Sequence, residues 1–72
     1  MTFNSYNVET DPFLIEMRQQ INELEKRKDE LYKAANSDPD NVKAKLHYDI
    51  MTIKWARATN AYHDALRAAL AL

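Results

Sequence analysis

The chain contains no cysteine and no glycine. Without cysteine there are no disulfides and no thiolate metal sites. Without glycine there is no phosphate-cradling loop and no dinucleotide fingerprint, and the tight hairpin turns that need a positive backbone φ are disfavoured. An excess of charge of one sign is missing as well. Ten Lys and Arg stand against eleven Asp and Glu, a net charge of −1, so no basic field is available to hold nucleic acid. No apolar run reaches the length of about 18 residues that a membrane-spanning helix needs. The N-terminal residues lack a basic segment followed by an apolar core, so no conventional secretory signal is expected. At 72 residues the chain predicts one small domain. Below about 70–80 residues a lone core rarely gives much stability without a disulfide, a metal or an oligomeric partner.

What is present favours helices. Residues 40–72 hold neither Gly nor Pro and are rich in Ala, Leu, Lys and Arg, which lose little freedom in a helix. They predict one continuous helix of about 33 residues, roughly 50 Å long. At 100° per residue its apolar side chains fall into two bands. One is Val42, Leu46, Ile50, Ile53, Ala61 and Ala68; the other is Ala44, Tyr48, Met51, Trp55, Ala58, Tyr62, Leu66 and Ala69. A surface helix with a single companion needs only one apolar stripe. The second band therefore predicts a partner from outside the chain.

Residues 1–11 show no helical or strand period and predict an irregular, flexible N-terminal arm, with Phe3 and Tyr6 free to cover apolar surface elsewhere. Asp11-Pro12 is a helix start: the carboxylate caps the free N–H groups, and proline at the first helical position gives up no bond. From there Leu14, Met17, Ile21, Leu24, Leu31 and Ala35 form a heptad seam, with Lys28 in the skipped position. Arg18, Glu23, Glu25, Lys26, Arg27, Asp29 and Glu30 form the solvated face, with Glu23 and Arg27 spaced as a favourable i,i+4 pair. Asn36-Ser37-Asp38-Pro39-Asp40-Asn41 is the one strong interior break. Asp38 or Ser37 is the expected cap of the second helix. So short a connection makes the helices antiparallel neighbours.

The predicted fold is all-α: a coiled-coil-like two-helix antiparallel hairpin with a short Pro-containing turn. Helix one spans about 12–36, the turn about 37–41 and helix two about 42–72. Helix two is expected to overhang helix one by about two turns at its C-terminal end. The intrahairpin seam is assigned to Leu14, Met17, Ile21, Leu24 and Leu31 of helix one and to Leu46, Ile50 and Ile53 of helix two. The face assigned to a subunit or partner is Tyr48, Met51, Trp55, Ala58, Tyr62, Leu66 and Ala69, with Tyr48, Trp55 and Tyr62 a row of aromatics seven apart. Aromatic rows at that spacing pack helices and anchor protein contacts. Arg57 lies on the other band, available to a carboxylate of helix one or to a neighbouring subunit.

No residues converge on catalysis. His47 and His63 are too far apart along one helix to share a metal. The only serines, Ser5 and Ser37, lie in the arm and the turn, so no nucleophilic triad is suggested. Asp38 and Asp40 beside Pro39 are capping residues before they are cation ligands. The expectation is no enzyme activity, no cofactor, no metal, no nucleic acid and no small-molecule ligand.

Pro39-Asp40-Asn41 in the turn, followed by Tyr48, Trp55, Asn60-Ala61 and Arg67, resembles the needle subunits of bacterial type III secretion systems. The family pattern runs from a Pro-Ser-Asn-Pro turn through a Tyr, an aromatic seven residues on and an Asn-Ala to a basic residue. Val42 stands where the second turn proline would be. The likeness covers about residues 30–67, with Pro39 and Asn41 as its turn residues. It implies a virulence-associated subunit that self-assembles into a hollow helical filament for protein transport, secreted to the cell surface through the type III apparatus itself. The alternative is a cytoplasmic helical-hairpin chaperone or adaptor that binds another secretion-system protein through an apolar helix face.

Overall fold

The computed structural model describes residues 7–71, and over them the chain is two packed helices. Helix α1 is Pro12–Ser37 and helix α2 is Val42–Leu70. They fold back on each other as the antiparallel hairpin that the short connection dictates. The expected arm lies partly outside the described residues, as do Phe3, Tyr6 and Leu72.

A hydrogen-bonded turn precedes α1. The Asn7 side chain accepts a bond from Glu9 N at 2.9 Å, and its carbonyl accepts from Thr10 N at 3.2 Å. This turn feeds Asp11, whose carboxylate accepts from Phe13 N at 2.9 Å and Leu14 N at 3.1 Å. Pro12 sits at the first helical position, where its missing N–H leaves nothing unsatisfied.

The interior turn departs from expectation in its cap. Asn41, not Ser37 or Asp38, caps α2 and accepts from Ala44 N at 3.0 Å. Ser37 is the last residue of α1 and donates back to Lys33 O at 2.7 Å. Asp38 closes the turn instead: its side chain accepts from Asp40 N at 3.0 Å and its carbonyl from Asn41 N at 3.0 Å. Pro39 therefore lies in the loop, as the turn assignment requires. Lys45 ties the loop to the helix by donating to Pro39 O at 2.9 Å.

The predicted two-turn overhang is absent. Helix α1 has 26 residues and α2 has 29, a difference of less than one turn. Leu14, near the start of α1, and Ala69, near the end of α2, are both buried. The small side chains Ala65 and Ala69 let the helices stay close to the end.

The result is a rod, 63 × 16 × 13 Å, two helices wide and one deep. Among the described residues only Leu14, Ala44 and Ala69 are buried, and no large side chain is fully enclosed. The accessible surface is 5773 Å² for 8.4 kDa, where a compact fold of that mass exposes about 4,600 Å². A single layer of two helices has no second layer to close its core.

Candidate partner-binding face

Two apolar bands compete for the inner side of α2, and the structure turns the aromatic one inward. Ala44 and Ala69 are buried, and Tyr48, Met51, Thr52, Trp55, Ala58, Thr59, Tyr62 and Leu66 are half-buried. They meet the seam of α1, where Leu14 is buried and Met17, Ile21, Leu24, Lys28, Leu31 and Ala35 are half-buried. The α1 part of the expected seam is thus in place. The α2 part is reversed. Leu46, Ile50 and Ile53, assigned to the intrahairpin seam, lie outside. Tyr48, Met51, Trp55, Ala58, Tyr62, Leu66 and Ala69, assigned to a partner, lie against α1.

Lys28 supplies the physical reason. It occupies the skipped position of the heptad seam and so points its stem at α2. Its ammonium lies over the Trp55 ring, 4.3 Å from the centroid. An indole face receives a cation favourably, by about 0.5–2 kcal/mol. The alternative band would meet the same ammonium with Ile50 and Ile53, which offer it no partner and only a desolvation penalty. One turn nearer the loop, Tyr32 and Tyr48 make a tilted ring pair with centroids 5.6 Å apart, a geometry that adds to area burial. The small residues Ala44, Ala58 and Ala69 fit the helices together between these large rings. The inner face is not fully satisfied: Trp55 Nε1 and Thr59 Oγ1 are buried without a hydrogen-bond partner, whereas the Thr52 hydroxyl donates to Tyr48 O at 2.9 Å.

The outer side of α2 is the candidate site. Val42 is 71% exposed, Leu46 56%, Ile50 39% and Ile53 51%. They line one side of the helix over about 16 Å. Ala61 and Ala68 extend the same side as small exposed residues. On one flank this stripe runs into a groove between the helices, lined by Arg27, Glu30 and Leu31 of α1 and by His47, Ile50 and Met51 of α2. Arg27, Glu30 and Leu24 also line the adjoining depression along α1. The apolar surface is therefore concave at its edge, with α1 as the second wall.

Charge surrounds the stripe unevenly. Helix α1 is balanced, but α2 carries Lys43, Lys45, Lys54, Arg57 and Arg67 against Asp49 and Asp64 only. The one ion pair among the described residues joins Arg67 to Asp64 at 2.9 Å, an exposed i,i+3 contact. The expected Glu23–Arg27 pair is not made, and Arg27 lines the groove instead. Lys43, Lys54 and Arg57 are exposed beside the stripe. Arg57 lies on this band, as its position in the helical period implies, and Lys43 and Lys54 form the rim beside it. The sequence carries the signal: Lys43, Ile50 and Arg57 are seven apart, which puts them along one line of the helix.

His47 and His63 are both exposed, and His63 makes only a ring contact with Tyr62, at 6.2 Å between centroids. No group of three or more His, Asp or Glu among the described residues is placed to hold a metal ion. No helix among them is long and apolar enough to cross a membrane. No family model, no curated protein and no solved structure matches this chain.

Proposed function

We propose that this chain is a non-catalytic assembly protein of the type III secretion needle class, which acts by offering the outer side of α2 to another polypeptide. The observation that carries the reading is the exposed stripe Val42, Leu46, Ile50 and Ile53, left over after α1 has covered the opposite side. A hairpin with three buried residues among those described gains apolar burial by covering such a stripe. The class comes from the resemblance in Pro39-Asp40-Asn41, Tyr48, Trp55, Asn60-Ala61 and Arg67. In its self-assembling form the subunit builds the secretion filament.

One observation favours a second form, the adaptor. An open filament needs two different complementary faces on each copy. The aliphatic residues exposed along the middle of the rod, Leu46, Ile50 and Ile53, share one face of α2; the other exposed large apolar side chains outside the stripe, Phe13, Tyr32 and Leu70, are scattered, and α1 turns Glu16, Glu23, Arg27 and Glu30 to solvent. A single face suits one docked helix from another secretion-system protein.

Mass and shape in solution over a concentration series, followed by electron microscopy of the concentrated chain, separate the forms. Filaments that disappear in Ile50→Asp support the needle subunit. A small species that forms a tight one-to-one complex with a different chain, lost in the same variant, supports the adaptor. A monomer that associates with nothing overturns both.

A further inference from the structure

The rim of the α2 stripe identifies the chemistry of what covers it. Lys43, Lys54 and Arg57 flank Leu46, Ile50 and Ile53, and Arg27 stands across the groove on α1. None of these four cations makes an ion pair or a side-chain hydrogen bond among the described residues, although Lys28 and Lys45, on the same two helices, are engaged. Against them the groove presents Glu30, and the stripe is flanked by Asp49. The balance around the docking surface is therefore positive, while the chain as a whole carries −1. A net charge of that size leaves the excess local, placed where apolar side chains are also bare.

From this juxtaposition we infer that the groove and stripe bind an acidic amphipathic helix of another protein, laid between α1 and the outer side of α2 to complete a three-helix bundle. Apolar residues of the partner at i, i+3 or i+4, and i+7 meet Leu31, Ile50, Met51 and Ile53. Its Asp and Glu side chains meet Lys43, Lys54, Arg57 and Arg27. The exposed run from Val42 to Ile53 corresponds to about three helical turns. A second copy of this chain does not supply such a helix. Its acidic row, Glu16, Glu23 and Glu30, is flanked by Lys26 and Arg27 and reaches the groove itself at Glu30, and its own apolar stripe has the same basic rim. A membrane surface is flat, whereas this site has a wall on its α1 side. The inference deepens the adaptor form of the proposed function and rests on it.

The test uses the full chain and two synthetic three-heptad peptides, each with a Leu stripe, one flanked by Glu and the other by Lys. Fluorescence anisotropy of the labelled peptides reads affinity at about 50 mM and about 500 mM salt, where screening lengths differ severalfold. The Glu-flanked peptide is expected to bind at least tenfold tighter than its twin at low salt, with the ratio shrinking at high salt. Lys54→Glu combined with Arg57→Glu changes only exposed residues; it should reverse the preference while circular dichroism stays helical. Ile50→Asp should abolish binding of both. Equal affinity for the two peptides overturns the inference but leaves an apolar docking face, and with it the proposed function, intact. Binding to neither peptide, with uptake onto phosphatidylserine vesicles, overturns it in favour of a membrane surface. Binding to neither, with mass rising with concentration, overturns it in favour of self-association.

Discussion

At the scale of single residues, the rotation of α2 about its own axis depends on where the Lys28 ammonium comes to rest. The seam of α1 points it at the facing helix, and the Trp55 ring, 4.3 Å away, receives it without an anion. Lys28→Glu should therefore destabilise the hairpin by about 1–2 kcal/mol, since a carboxylate meets the negative face of the ring. Lys28→Met, which keeps the stem, should cost less. Urea unfolding followed by circular dichroism checks both. Thr59 presents the opposite case. Its hydroxyl is buried without a partner, so Thr59→Val, close in shape, should raise stability by about 1 kcal/mol. A fall in melting temperature would mean that the hydroxyl has a partner in solution.

At the scale of elements, the helix ends were legible in the sequence because they depend on local chemistry. Asp11-Pro12 specifies a start wherever it is placed, and the α1 seam follows from a heptad that no other feature contradicts. The cap of α2 was less legible. Ser37, Asp38 and Asn41 are all good capping residues, and the choice falls to Asn41 because Asp38 is occupied with Asp40 N at 3.0 Å. Asn41→Ala should accordingly cost about 1 kcal/mol through loss of the bond to Ala44 N. Ser37→Ala should cost less, because Ser37 only bonds back within α1; thermal melts of the two variants check the order. The inward band of α2 was not legible. Both bands have helical period and similar apolar content. What separates them is a contact between Lys28 and Trp55, residues distant in sequence and on different helices. Periodicity along one helix carries no information about a cation on another.

At the scale of the whole molecule, two helices form one layer, and a layer has two outsides. The inner side of α2 is occupied by α1, and its outer side keeps Val42, Leu46, Ile50 and Ile53 in water. Two bands and one companion remain the physical basis for expecting a partner, with the identities of the bands exchanged. The aromatic side of α2 packs the hairpin together, and the aliphatic side is the one proposed to serve association. Circular dichroism and sedimentation of Trp55→Asp and Ile50→Asp, measured side by side, test it most directly. Trp55→Asp should lose helix, because it removes the largest side chain on the seam, and a short carboxylate, even paired with Lys28, restores none of the lost apolar contact. Ile50→Asp should keep its helix and lose association. A helical Trp55→Asp that no longer associates, beside an Ile50→Asp that associates as before, would contradict the account.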